Sequence, residues 1–278
     1  MVKVAVSGAS GLVGSRIIEL LRADFSFIPL SQTTVDITKK DQVAQFFQDN
    51  QFDFFLHLAA YTNVDGAEVE KEKAYAINVE GTKNVFEQSV AKKINFIYIS
   101  TDFVFDGKNP PFDEEAKPNP ISYYALTKYQ GEKVIGNEGM IVRIAYPYRA
   151  WFEPKKDFVR SLYHLLKENK QLMMVENALM TPTFIDDIAY GLKYLIQNYS
   201  KKIFHLVGSQ SLSPYEAGRL IAEKFNLSQD LILAISYEEY FKNKAKRPQF
   251  SQIVSKKNHF HPMASFEEGL HQIAKMMI

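Results

Sequence analysis

The sequence contains no cysteine, which excludes disulfides, thiolate metal sites and cysteine nucleophiles. It carries no surplus charge of either sign: 33 Lys and Arg stand against 32 Asp and Glu, a formal net charge of +1. That balance gives no electrostatic case for a nucleic-acid or membrane-surface partner. No apolar run approaches the ~18–20 residues of a membrane span. The N-terminus, "KVAVSG", lacks the basic region, apolar stretch and small-residue cleavage site of a signal peptide. Repeats and low-complexity tracts are missing too, so a soluble cytoplasmic protein is the expectation. What is present is a chain of 278 residues, 46% apolar and 23% charged, enough for one large domain or two modest ones around a real core.

The first half alternates short apolar runs with helical patterns. Strands are expected at Val2–Ser7, Phe25–Leu30, Phe52–Ala59, Asn95–Ser100 and Met140–Ile144, with helices at Leu12–Ala23, Lys40–Asn50, Glu70–Lys92 and Ser122–Ile135. The strands are apolar throughout rather than alternating, as a sheet buried on both faces requires. This rhythm predicts an α/β fold with a Rossmann-type doubly wound parallel sheet. The second half is less regular. "KDFVRSLYHLLKEN", "FIDDIAYGLKYLIQN" and "SPYEAGRLIAEKF" read as helices, the last opened by Ser-Pro, and "QLMMVE" and "KIFHLVG" as strands. Residues 1–148 are expected to form a dinucleotide-binding domain to which 183–207 returns. Residues 149–182 and 208–278 would form a smaller substrate-binding lobe.

"VAVSGASGLVGSRIIELL" places Gly8, Gly11 and Gly14 between the first strand and the first helix. A dinucleotide needs this arrangement: the first glycine for the tight turn, the second for close approach of the pyrophosphate, the third for helix–strand packing. The helix N-terminus then offers free N–H groups and a positive dipole end to phosphate. The spacing G-x-x-G-x-x-G is typical of short-chain dehydrogenases/reductases. An NAD enzyme normally carries an acid at the end of the second strand, for the ribose 2′-hydroxyl. Here that position ends in Ser31 and Gln32, which favours NADP(H) over NAD(H). Arg16, on the first turn of the helix, would either help hold the 2′-phosphate or be a solvated helix residue.

Y-x-x-x-K, the spacing of a tyrosine general acid and its lysine, occurs four times: Tyr124/Lys128, Tyr129/Lys133, Tyr163/Lys167 and Tyr240/Lys244. Position has to choose among them. Ligands of open α/β sheets sit beyond the carboxyl ends of the strands. Thr101 follows the strand "NFIYIS" at that edge, and Tyr124 falls on the first turn of the next helix. Tyr129 lies about 140° around that helix from Tyr124. Gly131 continues the face of Tyr124 and Lys128 and suits close packing on the sheet.

With these residues in view, the chain resembles the extended short-chain dehydrogenases/reductases, specifically the dTDP-4-dehydrorhamnose reductases. The likeness rests on "GASGLVG" at 8–14, "AAYTNVDGAE" at 59–68, "STDFVFDG" at 100–107, "YYALTKYQGE" at 123–132, "VRIAYPY" at 142–148 and "RPQFS" at 247–251. It implies Thr101, Tyr124 and Lys128 as the catalytic set. It implies Gly8, Ser10, Gly11, Leu12, Val13, Gly14, Asp36, Ile37, Leu58, Ala59, Ala60, Tyr61 and Ser100 along the cofactor. It implies Val64, Thr101, Asp102, Phe103, Tyr146 and Arg247 near a nucleotide-sugar substrate. The activity implied is NAD(P)H-dependent reduction of a sugar 4-keto group, with a homodimer as the assembly. Phe103 and Tyr146 stand where the family often has Tyr and Trp, and "RAWFEPKKDF" lacks the family's glycine-rich stretch. Lys128 is expected to bring the pKa of Tyr124 down.

Two other functions stay open: an NAD-dependent sugar-nucleotide epimerase, and a non-catalytic NADP-binding regulatory subunit resembling that of methionine adenosyltransferase. No metal site is expected. His57 reads as a buried strand histidine and His259 and His261 as surface residues. Asp113, Glu114 and Glu115 read as a solvated loop, "LMMV" as core strand, and Asp186 and Asp187 as charges favouring a helix N-terminus.

Overall fold

The computed structural model describes residues 1–150, 152 and 154–277. Strands β1 (Lys3–Ser7), β2 (Ser26–Leu30), β3 (Phe54–His57), β4 (Asn95–Thr101) and β5 (Met140–Ile144) form a parallel sheet. Residues 147–148, 172–175 and 183–184 are the short strands β6, β7 and β8, and β9 (Ile203–His205) joins the main sheet beside β5. The order is β2-β1-β3-β4-β5-β9. The order in which strands are added reverses at β1, so the carboxyl ends of β1 and β3 open the crevice that doubly wound sheets use for ligands.

Successive residues of each strand serve opposite faces. Val4, Val6, Leu56, Ile97 and Val142 pack under α1 (Leu12–Leu21) and α8 (Ile185–Gln197) through Ile17, Leu21, Ile188 and Leu192. Ala5, Phe55, Phe96, Tyr98 and Ile141 pack under α2 (Lys40–Asp49), α5 (Thr82–Ala91) and α6 (Tyr123–Ile135) through Phe47, Val85 and Ile135. Both faces are covered, which is why the strands are apolar throughout. A separate cluster of Tyr148, Phe184, Ile221, Phe266 and Leu270 gathers α7 (Phe158–Lys167), α9 (Pro214–Lys224) and α11 (Phe266–Met277). There β7 pairs with β10 (Ile232–Ile235), followed by the short α10 (Tyr237–Tyr240). Ser213 and Glu216 form a reciprocal capping box with Pro214 in the first turn, so the Ser-Pro start signal is met.

Three expectations are corrected. The helix expected over Glu70–Lys92 is continuous from Lys71 to Ala91 but not regular: α4 (Lys71–Tyr75) and α5 are joined by a wide π turn at Ala76–Gly81, and a short α3 (Val64–Val69) precedes them. Glu70 breaks the helix with φ −91° and ψ 50°. In the wide turn the Asn78 side chain grips the backbone of Tyr61 through N–H and C=O alike, at 2.8 and 3.1 Å. Glu114 is not solvated. It is buried and accepts from the amides of His205 (3.1 Å) and Lys256 (2.9 Å) and from the Ser255 hydroxyl. "LMMV" is strand β7 but only its last residue, Val175, is fully buried, and Met173 is exposed, because β7 belongs to a two-stranded sheet.

Candidate active site

Gly8 leaves β1 with φ +70°, and a Cβ there would sit 2.8 Å from the amide nitrogen of Ala59, just past β3. A Cβ on Gly14 would lie 2.5 Å from the carbonyl oxygen of Gly8. Only glycine permits both the left-handed turn and this contact of helix with strand end. Gly11 caps α1 without a side-chain hydrogen bond, and no acid stands in the first turn. The free N–H groups of that turn therefore face the crevice as an anion site.

A cleft of about 470 Å³ runs along this edge. Gly8, Ser10, Gly11, Leu12, Val13, Gly14, Asp36, Ile37, Leu58, Ala59, Ala60, Ser100, Thr101, Tyr124, Lys128 and Tyr146 all line it. Of the four Y-x-x-x-K pairs, only Tyr124/Lys128 is there. The other three lysines lie over the rings of their own tyrosines, at 4.7, 5.8 and 3.4 Å. Lys128 instead lies 4.1 Å from the ring of Tyr98 and donates to the Ile99 carbonyl at 2.8 Å. Ser122 begins α6 by accepting from the Ala125 amide at 3.3 Å, which sets Tyr124 in the first turn. A Cβ on Gly131 would meet the Tyr98 hydroxyl at 2.3 Å, so the close packing expected of this glycine is present.

Burial governs the electrostatics here. It lowers Lys128 to about 7, against a smaller raising effect of the Glu132 charge. It pushes Tyr124 well above its ordinary value, with the neighbouring Thr101 hydroxyl acting the other way. The expected lowering of Tyr124 by Lys128 is thus not met: burial is the largest influence on Tyr124, and Lys128 is not among the groups that shift it. Asp102 is raised to about 6 by burial. His57 is lowered to about 3, chiefly by burial and then by the Lys128 charge. It is a buried strand histidine as expected, held at its two ring nitrogens by Ser7 (2.6 Å) and Thr82 (3.0 Å).

Five expected site residues do not line the cleft. Tyr61 is turned to Glu70, its backbone held by Asn78. Val64 and Phe103 pack with Tyr124 and Tyr146 in an apolar cluster beside the cleft. Asp102 is 2% exposed and faces Thr101 and Ser251. Arg247 holds Asp65 with two hydrogen bonds, of 3.0 and 2.7 Å, and covers the ring of Phe241. Arg16 is not in the cleft either: its guanidinium is forked onto Asp186 at 2.7 and 2.6 Å and onto Glu19 at 2.6 Å. Asp186 therefore serves that ion pair, and Asp187 accepts from the Ala264 amide and faces His261 at 3.4 Å.

Other residues join the lining, among them Thr62, Ile77, Ile144, Pro147 and Lys155. Thr62, Ile144 and Pro147 fall inside the segments that carry the resemblance without being singled out by it, Ile77 and Lys155 lie outside those segments, and only the packing of separate segments brings the five together. Lys155 reaches Thr62 across the mouth of the cleft at 3.4 Å. The cleft fits a dinucleotide on three counts: the glycine contacts, the free helix N-terminus, and the buried Ser100 hydroxyl, which has no partner among the described residues.

A family model described as the RmlD substrate binding domain matches residues 2–278. The chain belongs to this family. The spore coat polysaccharide biosynthesis protein SpsK of Bacillus subtilis is 31% identical over 258 residues, 91% of this chain and 89% of that protein. A dTDP-4-dehydrorhamnose reductase of Sinorhizobium fredii is 31% identical, over 76% of this chain and 74% of its own length. The crystal structure of dTDP-4-dehydrorhamnose reductase from Bacillus anthracis in complex with NADP superposes with a TM-score of 0.92 at 32% identity, covering 99% of this chain and all of that one. Methionine adenosyltransferase 2 subunit beta of Bos taurus is 27% identical, over 90% of this chain and 80% of its own length.

Proposed function

We propose that this RmlD-family chain reduces the 4-keto group of a nucleotide-linked deoxysugar, as a dTDP-4-dehydrorhamnose reductase does. The observation that carries the reading is the placement of Tyr124, Lys128 and Thr101 in the same cleft as the glycine turn. NADP(H) is the favoured cofactor. Ser31 and Gln32 line the cleft where an NAD enzyme would have an acid, and the similar Bacillus anthracis structure contains NADP.

Bound NADPH would supply the hydride to the carbonyl carbon. Tyr124 holds the proton that the carbonyl oxygen needs. Its burial keeps it neutral at neutral pH, the state a general acid requires. Lys128, near half-charged at neutral pH, stands one turn further along α6 to bind a ribose hydroxyl. Ser100 offers its unpartnered hydroxyl to the cofactor. Tyr146, which lines the cleft and is backed by Phe103 at 6.0 Å between ring centres, gives the sugar an apolar wall. Residues 149–182 and 208–278 form the substrate-binding lobe in this reading, and the protein works as a homodimer.

The test follows loss of reduced-nicotinamide absorbance when purified protein meets NADPH and dTDP-4-dehydro-6-deoxy-L-mannose. Turnover is expected, and Tyr124→Phe is expected to lose on the order of 10²–10⁴ of it while binding NADPH as before. Near-full activity in Tyr124→Phe removes the assignment. A second reading, a non-catalytic regulatory subunit, is favoured by the similarity to the bovine methionine adenosyltransferase subunit. NADPH binding without turnover, together with stable copurification of a synthetase, would select it.

A further inference from the structure

Thr101 has one hydroxyl proton and two claimants for it. One is the Asp102 carboxylate, 3.0 Å away; the other is the Tyr124 oxygen. A charged acceptor makes the stronger bond, so an ionised Asp102 takes the proton. One lone pair of Thr101 then receives the Phe103 amide at 3.2 Å. The other is left for a donor in the cleft that Thr101 and Tyr124 both line. The second carboxylate oxygen of Asp102 is held by the hydroxyl of Ser251.

Ser251 comes from the far end of the chain, and its position is tightly defined. Its amide donates to Leu179 at 2.8 Å and its carbonyl accepts from Thr181. Phe250 bridges Leu179, and Ile253 bridges Phe112. A Cβ on Gly107 would lie 2.9 Å from the amide of Gln249, so this segment is pressed against the loop that follows Thr101. Ser251 and Asp102 are each 2% exposed.

We propose that Asp102 and Ser251 are a positioning pair that fixes the direction of the Thr101 hydroxyl, and so couple the C-terminal segment to the reacting carbonyl. This rests on the reductase reading for its effect on turnover, but not for its geometry. Asp102 is buried and does not line the cleft. It determines whether Thr101 presents a lone pair or a proton to Tyr124 and the substrate oxygen, and Ser251 keeps the carboxylate in register when Thr101 turns. The titratable groups facing Asp102 are Tyr124 from α6 and Tyr146 from the link between β5 and β6, both kept neutral by burial. Asp102 is therefore the charge that changes in this cluster as the medium is acidified, in a range near 6.

Two measurements test the pair. In apoprotein labelled with ¹³C at aspartate, the Asp102 carboxyl, assigned by its loss in Asp102→Asn, is expected to titrate near 6. Ser251→Ala removes a donor to the ionised form and should move that midpoint to higher pH, and Ser251→Thr should return it. In turnover with NADPH and dTDP-4-dehydro-6-deoxy-L-mannose, Ser251→Ala should lower kcat by between about tenfold and a hundredfold with KM for NADPH unchanged. It should also shift the acid limb of kcat upward, and Asp102→Asn should abolish that limb. An Asp102 midpoint in the ordinary carboxylate range, or one that Ser251→Ala does not move, overturns the proposal whatever the turnover. A wild type without turnover but with the coupled titration overturns the reductase reading and leaves the positioning pair standing.

Discussion

Glu132 and Arg143 form a buried ion pair beneath the candidate site. Arg143 donates to the two Glu132 oxygens at 2.8 and 2.7 Å, and the side chains are 4% and 2% exposed. The third guanidinium contact reaches His205 at 3.3 Å, and the ring of Phe105 lies against the cation. Glu132→Gln keeps the shape and removes the countercharge. A buried charge stripped of its partner costs about 3–5 kcal/mol. For a domain of this size that is a fall of roughly 6–20 °C in Tm. Replacing both members by methionine should recover most of the loss, since an apolar pair of similar volume is about as stable as a buried ion pair. Urea unfolding followed by circular dichroism reads both quantities. The substitution also acts one turn away. The Glu132 charge opposes the burial that lowers Lys128, so in Glu132→Gln the lysine should lose its proton below about 7. The pH dependence of NADPH affinity should move to lower pH with it. A Glu132→Gln protein within about 1 kcal/mol of wild type, or a double methionine variant no more stable than the single one, would refute the reasoning.

His57 should make the protein acid-sensitive. Its folded pKa, about 3, lies below its ordinary 6.5, so the unfolded chain binds the proton more readily and stability falls as pH drops from 6.5 toward 3. Relative to His57→Gln, wild type should lose up to about 4–5 kcal/mol across that window; parallel pH–stability curves would disprove this. Gly8→Ala should abolish NADPH binding in a fluorescence titration, because the added carbon enters the Ala59 amide at a backbone angle of +70°; wild-type affinity would contradict it. Arg16→Ala should leave the NADPH Kd within about twofold while lowering stability, since Arg16 is spent on Asp186 and Glu19. A tenfold weaker Kd would restore Arg16 to the cofactor.

Local pattern carried the nucleotide-binding half. Gly8, Gly11 and Gly14 announce their role because a phosphate turn needs small residues at fixed offsets on one continuous segment. The apolar strands before and after them announce a sheet covered on both faces. Ser122 and the first turn of α6 could be read in the same way, since a helix start is a local event. The same local reasoning found four equivalent tyrosine–lysine pairs and had only relative position with which to rank them.

Tertiary structure decided what depends on distant partners. Packing put Tyr124 and Lys128 in the cleft and left the other three lysines on the rings of their own tyrosines. It drew Arg16 out of the cleft lining to Asp186, 170 residues along the chain. It buried Glu114 under donors from β9 and the C-terminal segment. It turned the Asp102 carboxylate toward Ser251, 149 residues away. It also reversed the expected electrostatics of Tyr124, because desolvation is set by everything that surrounds a group and not by its neighbour one helical turn away. Backbone turns, helix starts and face periodicity are fixed by a few adjacent residues. Ion pairing, desolvation and the direction of a hydroxyl belong to segments that meet only when the chain has folded.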